Sequence, residues 1–433
     1  MQQLYSLFLQ HPVVCTDTRN IIPNSIFFAL KGANFNANEF AEQALNAGCS
    51  AVVIDEEKYK KDDRYFLVDD VLKTLQELAN YHRKQFNIPV IAITGTNGKT
   101  TSKELVNAVL SQQFKVLATK GNLNNHIGVP LTLLGITKEH EMAIIEMGAN
   151  HQGEIAELCS IAEPDYGMIT NIGKAHLEGF GGYEGVIKTK NELYQYIKKT
   201  EGKLFVNTDN PLLDQLSSGI ERIAFGTSEG ADFIGKLVES DPFVKLQYKT
   251  KTDRLSIDKK PIVQTHLVGN YNFENILAAA CIGNYFKLTE DKIKAGIESY
   301  VPSNNRSQVI RTKHNVLLLD AYNANPSSMN AAIENFAQMK QADKMVILGD
   351  MLELGVDSKK EHDAIVALLK QKGLSNAILI GPFFKEAGKL INALTFNNSD
   401  ECIDYLNQKN IQNSTILIKG SRGIKLEKVA EVL

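Results

Sequence analysis

Residues 90–110, VIAITGTNGKTTSKELVNAVL, decide how the chain folds. The opening VIAIT reads as a buried strand, the TGTNG that follows as a glycine turn, and the remainder as a helix whose Leu105, Val106, Val109 and Leu110 share one face. Strand, glycine turn and helix in that order are the context a phosphate loop needs. Gly95 and Gly98 let the backbone approach a polyphosphate. The helix start presents unbonded N–H groups, Lys99 neutralises β and γ charge, and the Thr100 hydroxyl is suited to Mg²⁺. Thr96, Asn97 and Thr101 complete the expected nucleotide-binding loop. The general pattern asks for a glycine five places before Gly98, where Ile93 stands, so the loop is a shortened form. A plain turn joining strand to helix is the alternative, and Lys-Thr at the helix start argues against it.

Downstream of this stretch, strand-like runs alternate with helical patterns: MAIIEMG ending at Gly148, YGMITNIG ending at Gly173, KLFVN near Leu204 and RIAFG near Ala224. That order predicts a mostly parallel sheet with helices on both faces. From Asp232 to Val268 apolar and polar residues alternate, which predicts an appended antiparallel patch, and the helix FENILAAACIGNYF follows. Upstream, SIFFAL, AVVID and YFLVDD with helical patterns at 38–47 and 71–86 predict a small α/β unit. It ends near Arg83, before the reset at Asn87-Ile88-Pro89. From Pro302 the runs NVLLLD, KMVILGD, AILIG and TILIKGS predict a second, Rossmann-like sheet. The expected fold is therefore α/β in three domains: 1–83, a central P-loop ATPase-like domain 84–301, and a C-terminal Rossmann-like domain 302–433.

The bulk properties set limits. In 433 residues, 43% hydrophobic and 22% charged, the balance is that of folded domains rather than of a disordered chain. A net charge of −3, without basic clusters, gives no expectation of nucleic acid or membrane as a partner. Five scattered cysteines without a Cys-x-x-Cys pair read as reduced core residues. No leader pattern or spanning apolar run is seen, so the expected location is the cytoplasm.

At TGTNGKTT the chain resembles the Mur ligases and their relatives, the folylpolyglutamate synthetases; Thr100-Thr101 after the lysine resembles the cell-wall branch. Further segments resemble that branch in the order it requires. Glu146, in AIIEMG, matches a Mg²⁺-binding glutamate, although alone it reads as a solvated strand end. His176, in NIGKAHLEGFGG, matches a metal-binding histidine. Lys190, in GVIKTKNELYQYI, matches a lysine that the family carbamylates, although alone it reads as a surface lysine. Asn272 and Asn275, in GNYNFENILAAA, match two asparagines near the nucleotide, with Tyr271 where the family has histidine. Arg306 matches an arginine that reaches the ATP phosphates.

The run LLLDAYNANPSSM looks like the branch that adds D-alanyl-D-alanine. There the resemblance gives Asp320 to the ATP ribose and Asn323 and Asn325 to substrate. GDMLELG (349–355) and IKGSRG (418–423) match the same branch, with Lys419, Ser421 and Arg422 near the dipeptide. Near the start, Asp17, Arg19 and Lys31 in TDTRNIIPNSIFFALKG match a UDP-sugar site, with Asn36-Ala37-Asn38 where the family reads Asp-Gly-His. Asn124 and Asn125 match residues lining a substrate cleft.

The resemblance implies an ATP-dependent ligase joining D-alanyl-D-alanine to UDP-N-acetylmuramoyl-tripeptide through an acyl phosphate. It implies ATP, two Mg²⁺ ions, a carbamylated Lys190, catalytic roles for Lys99, Lys190 and His176, and a monomer. Another Mur ligase, a folylpolyglutamate synthetase and a non-catalytic ATP-binding module are the alternatives.

Overall fold

The structure is a computed structural model and describes residues 1–303, 305–341, 343–409 and 411–433. The chain divides into two compact units. One comprises Met1–Ile93, Phe114–Ala149 and Gly153–Gly167; the other comprises Thr94–Gln113, Asn150–Gln152 and Met168–Leu433.

In the first unit, β1 (Val14–Cys15), β2 (Ile26–Phe28), β5 (Ala51–Ile54) and β6 (Tyr65–Leu67) form a parallel sheet in the order β1-β2-β5-β6; β3 (Lys31–Gly32) and β4 (Phe35–Asn36) form a hairpin. Phe27, Ala29, Val52 and Ile54 build its core with Ala41, Ala44 and Leu45. The helix Val71–Arg83 begins where Asp70 accepts a hydrogen bond from the Lys73 amide. It ends at Arg83, whose guanidinium is tied to the Ala162 carbonyl and to Asp165. The remaining strands, β7 (Val90–Thr94), β8 (Val116–Ala118) and β9 (Met142–Glu146), run parallel in the order β7-β9-β8. All five residues of β7 and of β9 are buried, as expected of parallel strands covered on both faces.

Strand β10 (Tyr166–Ile169), of which Met168 and Ile169 belong to the second unit, stops four residues earlier than the run YGMITNIG suggests, leaving Thr170–Gly173 as a loop. Strands β11 (Lys203–Asn207), β12 (Arg222–Gly226), β13 (Phe233–Glu239), β14 (Phe243–Thr250) and β15 (Val263–Val268) follow in consecutive order. The pairing is parallel from β11 to β13 and antiparallel from there to β15, where burial alternates along the strand. The C-terminal sheet contains β16 (Gln308–Arg311), β17 (Val316–Asp320), β18 (Lys344–Gly349), β19 (Ala377–Ile380), β20 (Leu394–Phe396) and β21 (Thr415–Lys419). Its order is β16-β17-β21-β18-β19-β20, parallel except at β16.

Alternate residues of that sheet feed two cores. Leu318, Val346, Leu348, Leu379 and Leu417 pack with Met329, Ile333 and Phe336 of the helix Pro326–Gln338. Leu317, Leu319, Ile347, Ile378, Ile416 and Ile418 pack on the other face with Cys402 and Leu406. Each fully buried aliphatic side chain contributes about 1.5–3 kcal/mol, enough to fix the register of the site loops at the strand ends. All five cysteines are free and buried. Among the described residues no helix is long and apolar enough to cross a membrane.

Candidate active site

The phosphate loop is held from three sides within the second unit. Gly98 sits at φ +76°, the left-handed backbone that lets the helix Lys99–Leu110 start immediately after the turn. A Cβ there would lie 2.7 Å from Asn275 Oδ1. Asn275 in turn accepts from Ser102 Oγ at 3.0 Å and donates to Asn272 Oδ1 at 3.0 Å, while Asn272 donates to the Val268 carbonyl at 2.8 Å. Asn272 and Asn275 of GNYNFEN thus form a buried relay from β15 to the loop helix. Lys99 folds back, its Nζ donating to the carbonyls of Gly95 (2.7 Å) and Thr96 (3.0 Å).

The second side is the loop after β10, which sequence reasoning missed. Thr170 Oγ1 donates to the Asn97 carbonyl at 2.6 Å, Asn171 Oδ1 accepts the Asn97 amide at 3.0 Å, and the Thr96 amide donates to the Asn171 carbonyl at 2.9 Å. The signal was a Thr-Asn pair at the carboxyl end of a buried strand, where α/β sheets carry their ligands.

The third side comes from the C-terminal segment. Asn325 is the N-cap of the helix Pro326–Gln338, in a capping box with Ser328, and its Nδ2 donates to Asn97 Oδ1 at 2.7 Å. Ser327 Oγ accepts the Lys174 amide at 3.1 Å, and Lys174 pairs with Glu361 at 3.0 Å. The motif DAYNANP is thereby brought directly onto the loop.

His176 takes a left-handed backbone (φ +50°) at the start of a short turn of helix, and its Nδ1 lies 2.5 Å from Glu353 Oε2 of GDMLELG. That contact holds the Glu353 carboxyl below the usual carboxylate range. The ring of Phe180 meets His176 edge-on at 6.1 Å and lies 5.4 Å from Lys190 Nζ, so one buried aromatic joins both predicted residues. Lys190 is 3% exposed, whereas Lys188 points to solvent. The reading of Lys190 as a surface lysine is therefore corrected: it shares a helix face with Val186, Leu193 and Ile197.

Asp320, at the end of β17, pairs with Lys419 Nζ at 2.5 Å across to β21, and Lys419 is 1% exposed. Ser421 is also buried, accepting the Leu352 amide at 3.0 Å and approaching the Ala324 carbonyl at 3.4 Å. Of the three residues expected near the dipeptide, only Arg422 faces solvent; the other two brace the loops that carry Asp320 and Glu353. Asn323 turns back to cap its own loop at the Ala324 amide. Arg306 lies over the Tyr322 ring at 3.6 Å. A small cavity is lined by Tyr271, Ser307, Asp320 and Asn335 among apolar neighbours. The Tyr271 hydroxyl, 3.4 Å from Ser307 Oγ, has its pKa raised by burial and by Asp320.

Within the first unit, Glu146 at the end of β9 is 1% exposed, so it is no solvated strand end. One carboxylate oxygen accepts from Asn124 Nδ2 at 2.7 Å, and its amide donates to Thr119 Oγ1 at 3.0 Å. Asn125 Oδ1 instead accepts the Ile127 and Gly128 amides, at 3.2 and 2.9 Å, just before the helix Gly128–Leu133. Asp17 and Arg19 form an exposed pair at 2.7 Å, and the guanidinium's hydrogen bond holds the Asp17 carboxyl down to about 2. Lys31 bridges Asp55 (2.8 Å) and Glu56 (3.1 Å). Asn36 and Asn38 close a part-buried network with the same two carboxylates. Among the described residues no three His, Cys, Asp or Glu side chains gather around a metal position.

Residues 93–283 match the Mur ligase middle domain and residues 305–422 the Mur ligase glutamate ligase domain. The UDP-N-acetylmuramoyl-tripeptide--D-alanyl-D-alanine ligase of Escherichia coli (strain K12) is 36% identical, over 97% of this chain and 93% of its own. The structure of MurF from Acinetobacter baumannii superposes with a TM-score of 0.87 at 31% identity, covering 97% of this chain and 92% of that one. The MurF ligase of Thermotoga maritima in complex with ADP superposes at 0.85, with 27% identity and 98% and 97% coverage. With relatives of this kind matched along almost its whole length, the chain belongs to the Mur ligase family.

Proposed function

We propose that this ATP-dependent amide ligase joins D-alanyl-D-alanine to UDP-N-acetylmuramoyl-tripeptide, in the cytoplasm and as a monomer. The observation that carries the reading is the 2.7 Å hydrogen bond from Asn325, in the D-alanyl-D-alanine-branch motif, to Asn97 of the phosphate loop. It is supported by the names of the full-length relatives. We assign residues 1–83 to the UDP-sugar, through Asp17, Arg19 and Lys31, and residues 84–301 to ATP. Residues 302–433 take the dipeptide and complete the ATP site. Asn124, Asn323, Asn325, Ser421 and Arg422 are assigned to substrate positioning.

Amide formation from a carboxylate in water is uphill, so the tripeptide carboxylate must first be activated. In our reading it attacks the γ-phosphorus of ATP and displaces ADP. The loop amides at Gly98–Thr101, the Lys99 ammonium and the Arg306 guanidinium hold the charge that develops on the phosphoryl oxygens. Lys99 must leave the Gly95 and Thr96 carbonyls to do so, and its flexible stem makes that exchange of partners cheap. The dipeptide amine then attacks the acyl carbon, a tetrahedral intermediate forms, and phosphate leaves. Asp320, fixed by Lys419, accepts from the ribose. Excluding water protects the acyl phosphate, a task suited to contacts such as Asn325–Asn97 and Lys174–Glu361.

The donor set suits Mg²⁺, which uses one or two carboxylates and completes its shell with phosphate oxygens and water, so no large acidic cluster is required. Thr100 is assigned to the ion that accompanies ATP, Glu146 is assigned as a metal ligand, and His176 with a carbamylated Lys190 is assigned to a second ion. When bound, Mg²⁺ disperses phosphoryl charge. Lys190 is assigned this role because it is 3% exposed and lies 5.4 Å from the Phe180 ring that also meets His176.

The test is phosphate release with ATP, Mg²⁺ and UDP-N-acetylmuramoyl-tripeptide, comparing D-alanyl-D-alanine with a single amino acid and with folate plus glutamate. Release that depends on the dipeptide is expected. Release only with a single amino acid or folate moves the activity to a neighbouring branch.

A further inference from the structure

The geometry points to Tyr322 as a positioning residue that sets two arginines at the spacing needed to receive two anions, the phosphoryl group of ATP and the carboxylate of the incoming acyl acceptor. The Arg306 and Arg422 guanidinium carbons lie 3.6 and 5.4 Å from the Tyr322 ring centroid, so they are no more than 9.0 Å apart. Among the described residues neither guanidinium is in an ion pair, and the nearby carboxylate of Asp320 is already taken by Lys419. Two unneutralised guanidiniums this close repel each other, and the negative face of an aromatic ring is the group that holds them without neutralising them. A carboxylate there would cancel the charge that an anion must find. Arg306 immediately precedes Ser307, whose amide donates to Asp320 Oδ1 at 3.4 Å, and Arg422 is exposed at the tip beyond β21. One ring thus links an ATP-directed arginine to an acceptor-directed one. An unmodified D-alanyl-D-alanine carries a single anionic handle, its terminal carboxylate, because its amine must stay free to attack.

The assignment of the two anions rests on the proposed function; the role of the ring does not. The experiment compares Tyr322→Phe, Tyr322→Leu, Arg422→Ala and the Leu/Ala double variant, reading the Kd of AMP-PNP by calorimetry and, in turnover, KM and kcat for the acceptor. The acceptor is whichever one the wild-type enzyme uses, so a wrong substrate is seen in the wild type and leaves the test of the ring intact. The AMP-PNP arm needs no turnover. We expect Tyr322→Leu to raise the AMP-PNP Kd and the acceptor KM about three- to thirtyfold with kcat changed less, and Tyr322→Phe to match the wild type. In the Arg422→Ala background the leucine change should no longer move acceptor KM. Unchanged Kd and KM, equal failure of the phenylalanine variant, a loss confined to kcat, or effects that multiply in the double variant would each overturn the inference. If the leucine variant loses its melting transition, Tyr322→Met, closer in length, takes its place with the same expectations.

Discussion

Gly98→Ala isolates the strain stored in the phosphate loop. The left-handed backbone at φ +76° costs an alanine about 1–2 kcal/mol. The new Cβ would also stand 2.7 Å from Asn275 Oδ1. That oxygen cannot retreat freely, because Ser102 donates to it and the amide of the same side chain is bound to Asn272, so withdrawal breaks about one buried hydrogen bond, ~1 kcal/mol. The combined cost is about 2–3 kcal/mol, and it must surface in one of two places. If the loop keeps its shape, urea unfolding of the nucleotide-binding unit loses that stability. If the loop relaxes, its amides turn away from the phosphates and the ADP Kd measured by calorimetry rises about thirty- to 150-fold. In an Asn275→Gly background, which lacks those bonds from the start, the same alanine change should cost only the backbone share. Unfolding and ADP affinity both equal to wild type would refute the argument.

Lys190→Ala should abolish ligation while leaving ADP binding intact, with partial recovery on adding a short carboxylic acid; full activity in the variant would remove Lys190 from the site. Asn325→Ala removes both a helix cap and the Asn97 contact, so we expect about 1–2 kcal/mol less stability and weaker ADP binding, whereas Asn325→Asp should restore the cap alone. Lys419→Met should leave Asp320 unpaired beside a buried strand end and raise the KM for ATP more than that for the dipeptide, as steady-state kinetics will show. His82 and His362 are both buried, and desolvation lowers their pKa values; His362 accepts the Met351 amide at Nε2, which requires the neutral ring. The unfolded chain takes up protons near pH 6.5 that the native chain refuses, so their stabilisation is complete above that pH and is lost as pH falls toward the folded values. The urea midpoint should drop between pH 7.5 and 5.5, less so in His362→Asn; a midpoint that stays level or rises would contradict this.

The strands at the centre of each sheet were legible because both faces are covered, which writes uninterrupted apolar runs such as VIAIT and TILIK. Strands β8, β16 and β20 were not, because their residues are partly exposed and the runs are three or four residues long. The loop TGTNGKTT was readable from spacing alone, yet its partners Thr170 and Asn171 were absorbed into a strand because Ile172 prolonged the apolar rhythm. The burial of Lys190 was available in principle: Val186, Leu193 and Ile197 mark its helix face at the 3.6-residue period. The contacts that join distant motifs, Asn325 to Asn97 and Glu353 to His176, follow from chain topology and leave no local trace.

The five buried thiols also make the protein its own stopwatch. Burial pushes the Cys402 thiol up to about 12 and the Cys49 and Cys281 thiols upward as well, so an alkylating reagent at neutral pH finds almost no thiolate until the surrounding structure opens. Cys15, Cys49 and Cys159 lie in one unit and Cys281 and Cys402 in the other. Timed labelling followed by peptide mass mapping would therefore clock the breathing of each unit separately, and nucleotide should slow the hands at Cys281, whose helix begins with the asparagines that grip the phosphate loop.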